Sequence, residues 1–430
     1  METVLRISFA IIILLLSHIV IFAQQDEINY DESKIPHYIL PAPLVSINGN
    51  TISSSQDWVE KRRPEILQLF EHEIYGKAPG FPENMEFTTT SIDTSALEGK
   101  AIRKEIDIII TNQNKSVTLN LLLYLPNNGK DSHPVFLGLN FYGNQTISND
   151  AGIAITSNWV NNNKEFGVFN NTAEQASRGV RADRWQVEYL LSKGYGLATM
   201  YYGDIDPDFD DGFQNGIHPL FYTKGQTKPE DDEWGSIAAW AWGLSRAMDY
   251  LETDSLIDHE KVSVMGHSRL GKTSLWAGAL DKRFAIVISN NSGCGGAALS
   301  RRRFGETVKK INDSFPHWFC GNFKKYNDNE NNLPIDQHML IALAAPRPVY
   351  VASAKDDRWA DPHGEFLSAK NAESVYQLFG KEGLQSDNMP QVDEPIGGTI
   401  GYHIRSGGHG VTLYDWEQYT KFADRHFFNK

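Results

Sequence analysis

In the run KVSVMGHSRLGKTSLWAGAL, residues 261–280, a β-forming apolar stretch stops at Gly266, and apolar residues at helical spacing follow almost at once. No loop separates the two. The residues between Gly266 and Lys272 must therefore turn the chain from strand into helix, and Ser268 sits inside that turn. A strand feeding directly into a helix is a building unit of parallel sheets.

The rest of the chain repeats that unit. From EWGSIAAWAWGLSRAMDYLE onward the order is helix, strand (KVSVMG), helix (KTSLWAGAL), strand (FAIVISNN), an insertion, strand (RPVYVASA), helix (LSAKNAESVYQLFG), strand (TIGYHIR) and a last helix from Tyr414. Such alternation predicts an α/β fold, with a mainly parallel sheet covered by helices on both faces in a three-layer αβα order. Upstream, KAIRKEIDIII alternates, whereas VTLNLLLYLP and PVFLGLNFYG are continuous apolar runs. That succession suits the edge and then the interior of one sheet. DRWQVEYLLSKGYGLATMYYGD adds a helix, a glycine turn and a strand. In DWVEKRRPEILQLFEHEIYG the apolar residues Ile66, Leu67, Phe70 and Ile74 predict an amphipathic helix closed by Gly76. The Asn-rich segment near 144–180 has little periodicity and is expected to be a surface insertion at the rim of the site; a second insertion is expected near 294–335.

The N-terminus, METVLRISFAIIILLLSHIVIFAQQDE, has Arg6, an apolar core from Ile7 to Phe22 and a small residue, Ala23, before a polar stretch. It is expected to be a signal peptide, residues 1–23, with an uncleaved anchor as the alternative. Residues 24–57, rich in proline and polar residues, are read as an extended arm, and 58–430 as one catalytic domain. No other apolar stretch reaches the roughly 18 residues that cross a bilayer. The expected protein is therefore secreted or periplasmic, free of the membrane after cleavage, and monomeric. A net charge of −14 without a Lys/Arg-rich run argues against a nucleic-acid partner. The two cysteines, Cys294 and Cys320, could pair in an oxidising compartment or stay free. Neither CxxC nor HExxH occurs, so no metal is expected.

Ser268 at a strand–turn–helix junction fits the nucleophile elbow of an α/β-hydrolase. The G-x-S-x-G pattern is not fully met, because Leu270 stands where a small residue is usual and Gly271 comes one place late. A triad in this fold runs serine, acid, histidine along the chain. RPVYVASAKDDRWADP places Asp356 and Asp357 just after an apolar strand, and TIGYHIRSGGHGVT places His409 in a glycine-flanked loop after the last one. Asp357 is the favoured acid, because it lies five residues before Pro362; Asp356 and Asp361 are the alternatives. His403, His338 and His363 have no comparable setting.

The segments GHSRLGK, NNSGCGGAALSRRRFGET, SFPHWFCGNF, ASAKDDRWADP and SGGHG together resemble the bacterial glucuronoyl esterases of carbohydrate esterase family 15, over most of the chain from RRPEILQLFEHEIYGKAPG onward. The resemblance implies an α/β-hydrolase fold, no cofactor, and cleavage of the ester between 4-O-methyl-glucuronic acid of glucuronoxylan and lignin alcohols. It implies Ser268 as nucleophile, His409 as base, and Arg269 as oxyanion stabiliser through its backbone N–H and its guanidinium. Lys272 and Glu306 would bind ring hydroxyls of the uronate, and Trp359 would pack and donate its indole N–H near the sugar. One departure follows from the same resemblance. Where fungal and some bacterial relatives carry an acid in E-S-G-x-G-G, this chain has Asn291, which moves the acid role to Asp357. The fungal Gly-Cys-Ser is Gly-His-Ser here, so the disulfide of those relatives does not transfer.

Two rival activities are compatible with parts of this pattern. An acetyl xylan esterase or general carboxylesterase would use the same triad but has no need of Lys272, Glu306 and Trp359. A carbohydrate-binding protein on a decayed hydrolase scaffold would not need Ser268 at all.

Overall fold

The apolar runs become ten strands of one sheet in the computed structural model, which describes residues 28–429. The segment read as a signal peptide lies outside the described residues. The strands are β1 (Asn84–Ala96), β2 (Ala101–Asn112), β3 (Lys115–Pro126), β4 (His133–Asn140), β5 (Gly196–Tyr201), β6 (Ile257–His267), β7 (Ile286–Asn290), β8 (Val349–Ala354), β9 (Ile396–Gly397) and β10 (Ile400–Arg405). Across the sheet their order is β1-β2-β3-β5-β4-β6-β7-β8-β10-β9. From β5 to β10 every neighbouring pair is parallel. The strands β1, β2 and β3 on one side, and β9 on the other, join antiparallel.

Helices cover both faces because each interior strand is apolar on both. In β7, Ile286 and Ile288 face one core and Val287 the other. The first core is closed by α2 (Val187–Ser192) and α7 (Leu413–Phe428), through Leu190, Leu191, Trp416, Tyr419 and Phe422. The second is closed by α1 (Arg63–Phe70), α3 (Ser236–Leu251), α4 (Arg269–Leu280), α5 (Gln337–Ala342) and α6 (Pro362–Leu378), through residues such as Phe70, Trp240, Trp276, Leu340 and Phe366. This is the three-layer order expected from the alternation. Among the described residues no helix is long and apolar enough to cross a membrane.

The structure departs from the sequence reading in two places. Strand β1 was not expected. It lies at the sheet edge, pairs along its length with β2 and leaves most of its Thr-rich residues exposed or half-buried, so no apolar alternation betrays it. The segment 144–180 is not a loose surface insertion. Asn144, Gln145, Thr146, Ile153, Val160, Val168 and Ser177 are buried in it. Amide side chains take the place of backbone pairing there: the Asn140 side-chain amide donates to Asn144 Oδ1 (2.7 Å), and that of Asn144 donates to the Asn120 carbonyl (2.9 Å). Polar composition in this stretch reflects internal hydrogen bonding rather than solvent contact.

The described part of the arm, residues 28–57, lies along the domain with few regular elements. Gly305 N donates to the Asn29 carbonyl (2.8 Å), and the Arg302 guanidinium joins Glu32 (2.8 Å) to Asp361 (2.8 Å). Asp361 also caps α6 by accepting from Gly364 N (3.0 Å), a structural duty that fixes the loop after β8.

Candidate active site

Strand β6 ends at His267, α4 begins at Arg269, and Ser268 alone makes the turn at φ 59° and ψ −129°. A non-glycine residue in that region costs about 1–3 kcal/mol and persists only where its surroundings impose it. The imposing contacts are visible. Ser268 N donates to the Asn290 carbonyl (2.9 Å), and the Ser268 carbonyl accepts from Gly271 N (2.8 Å). A Cβ on Gly266 would run into the Leu270 carbonyl, and one on Gly271 would stand 3.0 Å from Ser292 Cβ and 3.1 Å from the Gly266 carbonyl. The unusual pattern thereby gains a physical reason. Leu270 points into the core, at 1% exposure, and the close approach that needs a glycine falls on Gly271. The Arg269 N–H opens the first turn of α4, where backbone donors have no helical partner.

His409 Nδ1 lies 2.6 Å from Asp357 Oδ2. Asp357 is buried, while Asp356 is exposed and Asp361 is committed to Arg302 and the cap of α6. The His409 ring packs against the ring of His267, centroid to centroid 4.4 Å, which brings it to the residue next to Ser268. The loop that carries His409 is gathered by Arg405, whose guanidinium donates to the carbonyls of Ser406 (2.8 Å), Gly408 (2.9 Å) and Gly410 (2.6 Å) and pairs with Asp415 (2.8 Å). Gly410 has a steric cause as well: a Cβ there would collide with the Arg184 guanidinium.

His267 belongs to a buried chain of hydrogen bonds. Its Nδ1 pairs with Asn290 Oδ1 (2.7 Å), and the Asn290 amide donates to Asp415 Oδ1 (3.0 Å) and Tyr419 Oη (2.8 Å). Burial, with the nearby His409, holds the His267 imidazole well below its usual range, so it stays neutral. Below Asp357 lies Glu365, wholly buried. Its Oε1 accepts from the N–H groups of Ser292 (2.7 Å) and Gly293 (3.0 Å), and its Oε2 from the Ser353 hydroxyl (2.6 Å). Burial pushes the Glu365 carboxyl up to about 8 against those hydrogen bonds, and the charge of Asp357 adds to the rise. Asn291 is buried at φ 46°, and its side-chain amide has no hydrogen-bond partner among the described residues.

Of the other expected site residues, Arg269 and Lys272 lie near Trp318, and Glu306 and Trp359 adjoin Lys272. The Arg269 guanidinium lies 4.7 Å from the centre of that ring and the Lys272 ammonium 5.9 Å. Phe315 stacks behind Trp318 at 3.7 Å. Arg269 is ion-paired with Asp208, whose carboxylate also accepts from His317 Nε2 (2.9 Å), Trp318 Nε1 (2.7 Å) and the Tyr202 hydroxyl (2.9 Å). Burial alone would raise Asp208; the His317 hydrogen bond and the Arg269 charge prevail and hold it well below the usual carboxylate range. Lys272 Nζ donates to the Ser292 carbonyl (2.5 Å) and lies 3.6 Å from Glu306 Oε2. Glu306 is raised by burial, opposed by the Lys272 charge and by a hydrogen bond from the Trp359 side chain. All seven residues singled out from the sequence thus fall in two adjoining groups. Two contacts differ from expectation: the Arg269 guanidinium is tied to Asp208, and the Trp359 donor to Glu306.

Asp208, His317, Trp318, His267 and Glu365 were not singled out. The acidic run DPDFDD after β5 and the aromatic run SFPHWF held part of the signal, but only the fold brings them together. Cys294 and Cys320 are both buried and unpaired. No group of three His, Cys, Asp or Glu side chains among the described residues is arranged to hold a metal.

Residues 218–380 match the model of the family described as Glucuronyl esterase, fungi. The chain is 56% identical to a promiscuous esterase of carbohydrate esterase family 15 from the marine bacterial metagenome, whose solved structure covers 93% of this chain and all of that one with a TM-score of 0.87. It is 50% identical to a glucuronoyl esterase from Solibacter usitatus, covering 92% of this chain and all of that one, again with a TM-score of 0.87. A 4-O-methyl-glucuronoyl methylesterase of Schizophyllum commune is 27% identical over 79% of this chain and 74% of its own. With the elbow at Ser268 set in a three-layer α/β-hydrolase sheet, these likenesses show that the chain belongs to carbohydrate esterase family 15, the family of the glucuronoyl esterases.

Proposed function

We propose that the protein is a secreted serine esterase that cleaves the ester between 4-O-methyl-glucuronic acid of glucuronoxylan and lignin alcohols, with Ser268, His409 and Asp357 as its triad. The observation that carries this reading is the group of Lys272, Glu306 and Trp359 beside the elbow. A cation, a carboxylate and an indole joined in one group, with Trp318 beside Lys272, supply the donors, acceptors and flat apolar surface that a hydroxylated ring with an esterified carboxyl needs.

Asp357 accepts from His409 Nδ1–H and so fixes the tautomer whose Nε2 is free to act as base. Nε2 takes the Ser268 proton as Oγ attacks the C6 carbonyl of the uronate ester. The oxyanion that forms accepts from the Arg269 backbone N–H, a donor worth about 100- to 1000-fold in rate at such a position. Arg269, pinned by Asp208, adds a fixed positive charge nearby. The carbonyl re-forms, the alcohol leaves with the proton from Nε2, and water then enters through the same steps to release the free uronate and restore Ser268.

A broader acyl range is the second reading, suggested by the marine relative, a promiscuous esterase. Both readings share the acyl-enzyme. It is tested by quenching turnover of a methyl glucuronate ester in acid and weighing the peptide that holds Ser268. A uronoyl adduct on that peptide is expected; a burst of product with no adduct would refute covalent catalysis at this serine.

A further inference from the structure

A cavity of about 630 Å³ opens on the same edge of the sheet as Ser268 but away from it. It lies between the end of β5 at Tyr201, the exposed side of β3, the segment around Trp159 and the loop after Asp204. In the sheet, β4 alone separates β5 from β6, so the ends of those two parallel strands are two strand spacings apart, about 10 Å.

Its lining carries unused hydrogen-bonding groups. The hydroxyls of Thr118 and Ser157, the side-chain amide of Asn215, the side-chain carbonyl of Asn158 and the indole N–H of Trp159 make no hydrogen bond among the described residues. Trp159 is braced by Phe209, ring centroids 4.6 Å apart, which holds an aromatic surface at the cavity. The cavity carries little charge. Its one carboxyl, Asp204, is buried, accepts from the Asn158 amide (2.7 Å) and Asn120 N (3.3 Å), and is pushed by that burial up to about 7. Hydroxyls and amides around an aromatic ring, with a single carboxyl that is buried and already hydrogen-bonded to Asn158 and Asn120, are the chemistry that takes a neutral polyhydroxylated ring. An anion would lack a counter-charge, and a purely aromatic ligand would leave the amides and hydroxyls unmatched.

We infer that this cavity is a subsite for neutral pyranose residues of the polysaccharide that bears the uronate ester, with Trp159 as its stacking surface. The inference rests on the ester-cleaving reading above. The covalent frame suits it: Pro207 and Phe209 line the cavity, and Asp208 between them is the carboxylate that holds Arg269 beside Ser268. One loop therefore contributes to both the cavity and the surroundings of Ser268.

The test compares two methyl esters, one of free 4-O-methyl-glucuronate and one of the same uronate carried on a neutral xylo-oligosaccharide. In Trp159→Ala, and separately in a Ser157→Ala, Asn215→Ala double variant at exposed positions, the ratio of the oligosaccharide KM to the free-uronate KM should rise about two- to tenfold over wild type. Binding of the uronate-free xylo-oligosaccharide to Ser268→Ala, read by calorimetry, should be lost when Trp159→Ala is added. An unchanged ratio in both variants would overturn the subsite. So would a KM rise confined to a benzyl ester of free glucuronate, because the cavity would then take the aromatic alcohol. If wild type cleaved neither uronate ester, the activity reading itself would fall, a result distinct from a failed subsite.

Discussion

Asp357 and His409 meet at 2.6 Å between Oδ2 and Nδ1, while Asp356, one residue away, keeps its side chain in solvent. Two adjacent aspartates after one strand thus have opposite surroundings. Asp357→Asn should lower kcat/KM on benzyl glucuronate by about 10³- to 10⁴-fold, by stabilising the wrong histidine tautomer. Asp356→Asn should leave it within about threefold, the size of change expected from one exposed charge. Equal losses in the two variants would remove Asp357 from the triad.

Asp208 is the hub of a buried polar cluster with Arg269, His317, Trp318 and Tyr202. Asp208→Ala would strand the Arg269 charge among aromatic rings; losing one partner of a fully buried pair costs about 3–5 kcal/mol, and a smaller loss is expected here because a quarter of the Arg269 side chain meets solvent. Urea unfolding should reveal that loss, together with reduced kcat, because Arg269 stands next to Ser268. A variant of wild-type stability would show that the pair carries little.

His267 supports one face of His409 without taking part in proton transfer, since it is neutral and bonded to Asn290. His267→Ala should reduce kcat about ten- to hundredfold with little change in KM, the penalty for a misplaced catalytic group. His267→Phe, which keeps a ring there, should recover a good part of the loss. Equal damage from both would place the value of His267 in its hydrogen bond instead.

Glu365 sets a pH dependence of stability. Its folded carboxyl is raised from 4.5 to about 8, so between those values the folded chain holds a proton that the unfolded chain has released. The contribution is fully present below 4.5 and is lost as pH rises through about 8. Glu365→Gln can keep the geometry, its amide oxygen accepting from Ser292 and Gly293 and its NH2 donating to Ser353. Melting temperatures measured across this window should fall with pH in wild type and fall less steeply in the variant. Parallel curves would show that the carboxyl is ionised throughout.

Much of this architecture is legible in the chain because interior parallel strands are continuous apolar runs and crossover helices have their own period; β7 and α4 are plain from FAIVISNN and KTSLWAGAL. Strand β1 is hidden because an edge strand with both faces partly wet needs no apolar alternation. The proposed triad could be read from chain order, since the fold fixes the order of serine, acid and histidine. Asp208 and Trp318 could not, because 110 residues separate them and only the packing of two loops against Arg269 makes them neighbours. Segment 144–180 misled because its amides, such as Asn144, turn inward to bond the backbone.

The decisive measurement is the hydrolysis of benzyl and methyl glucuronate beside an acetylated xyloside, by wild type and by Ser268→Ala. Wild type should prefer the glucuronate esters, and their turnover should disappear with the Ser268 hydroxyl. Turnover of the acetyl ester alone would keep the triad and contradict the uronate pocket; glucuronate turnover that survives in Ser268→Ala would contradict the site itself.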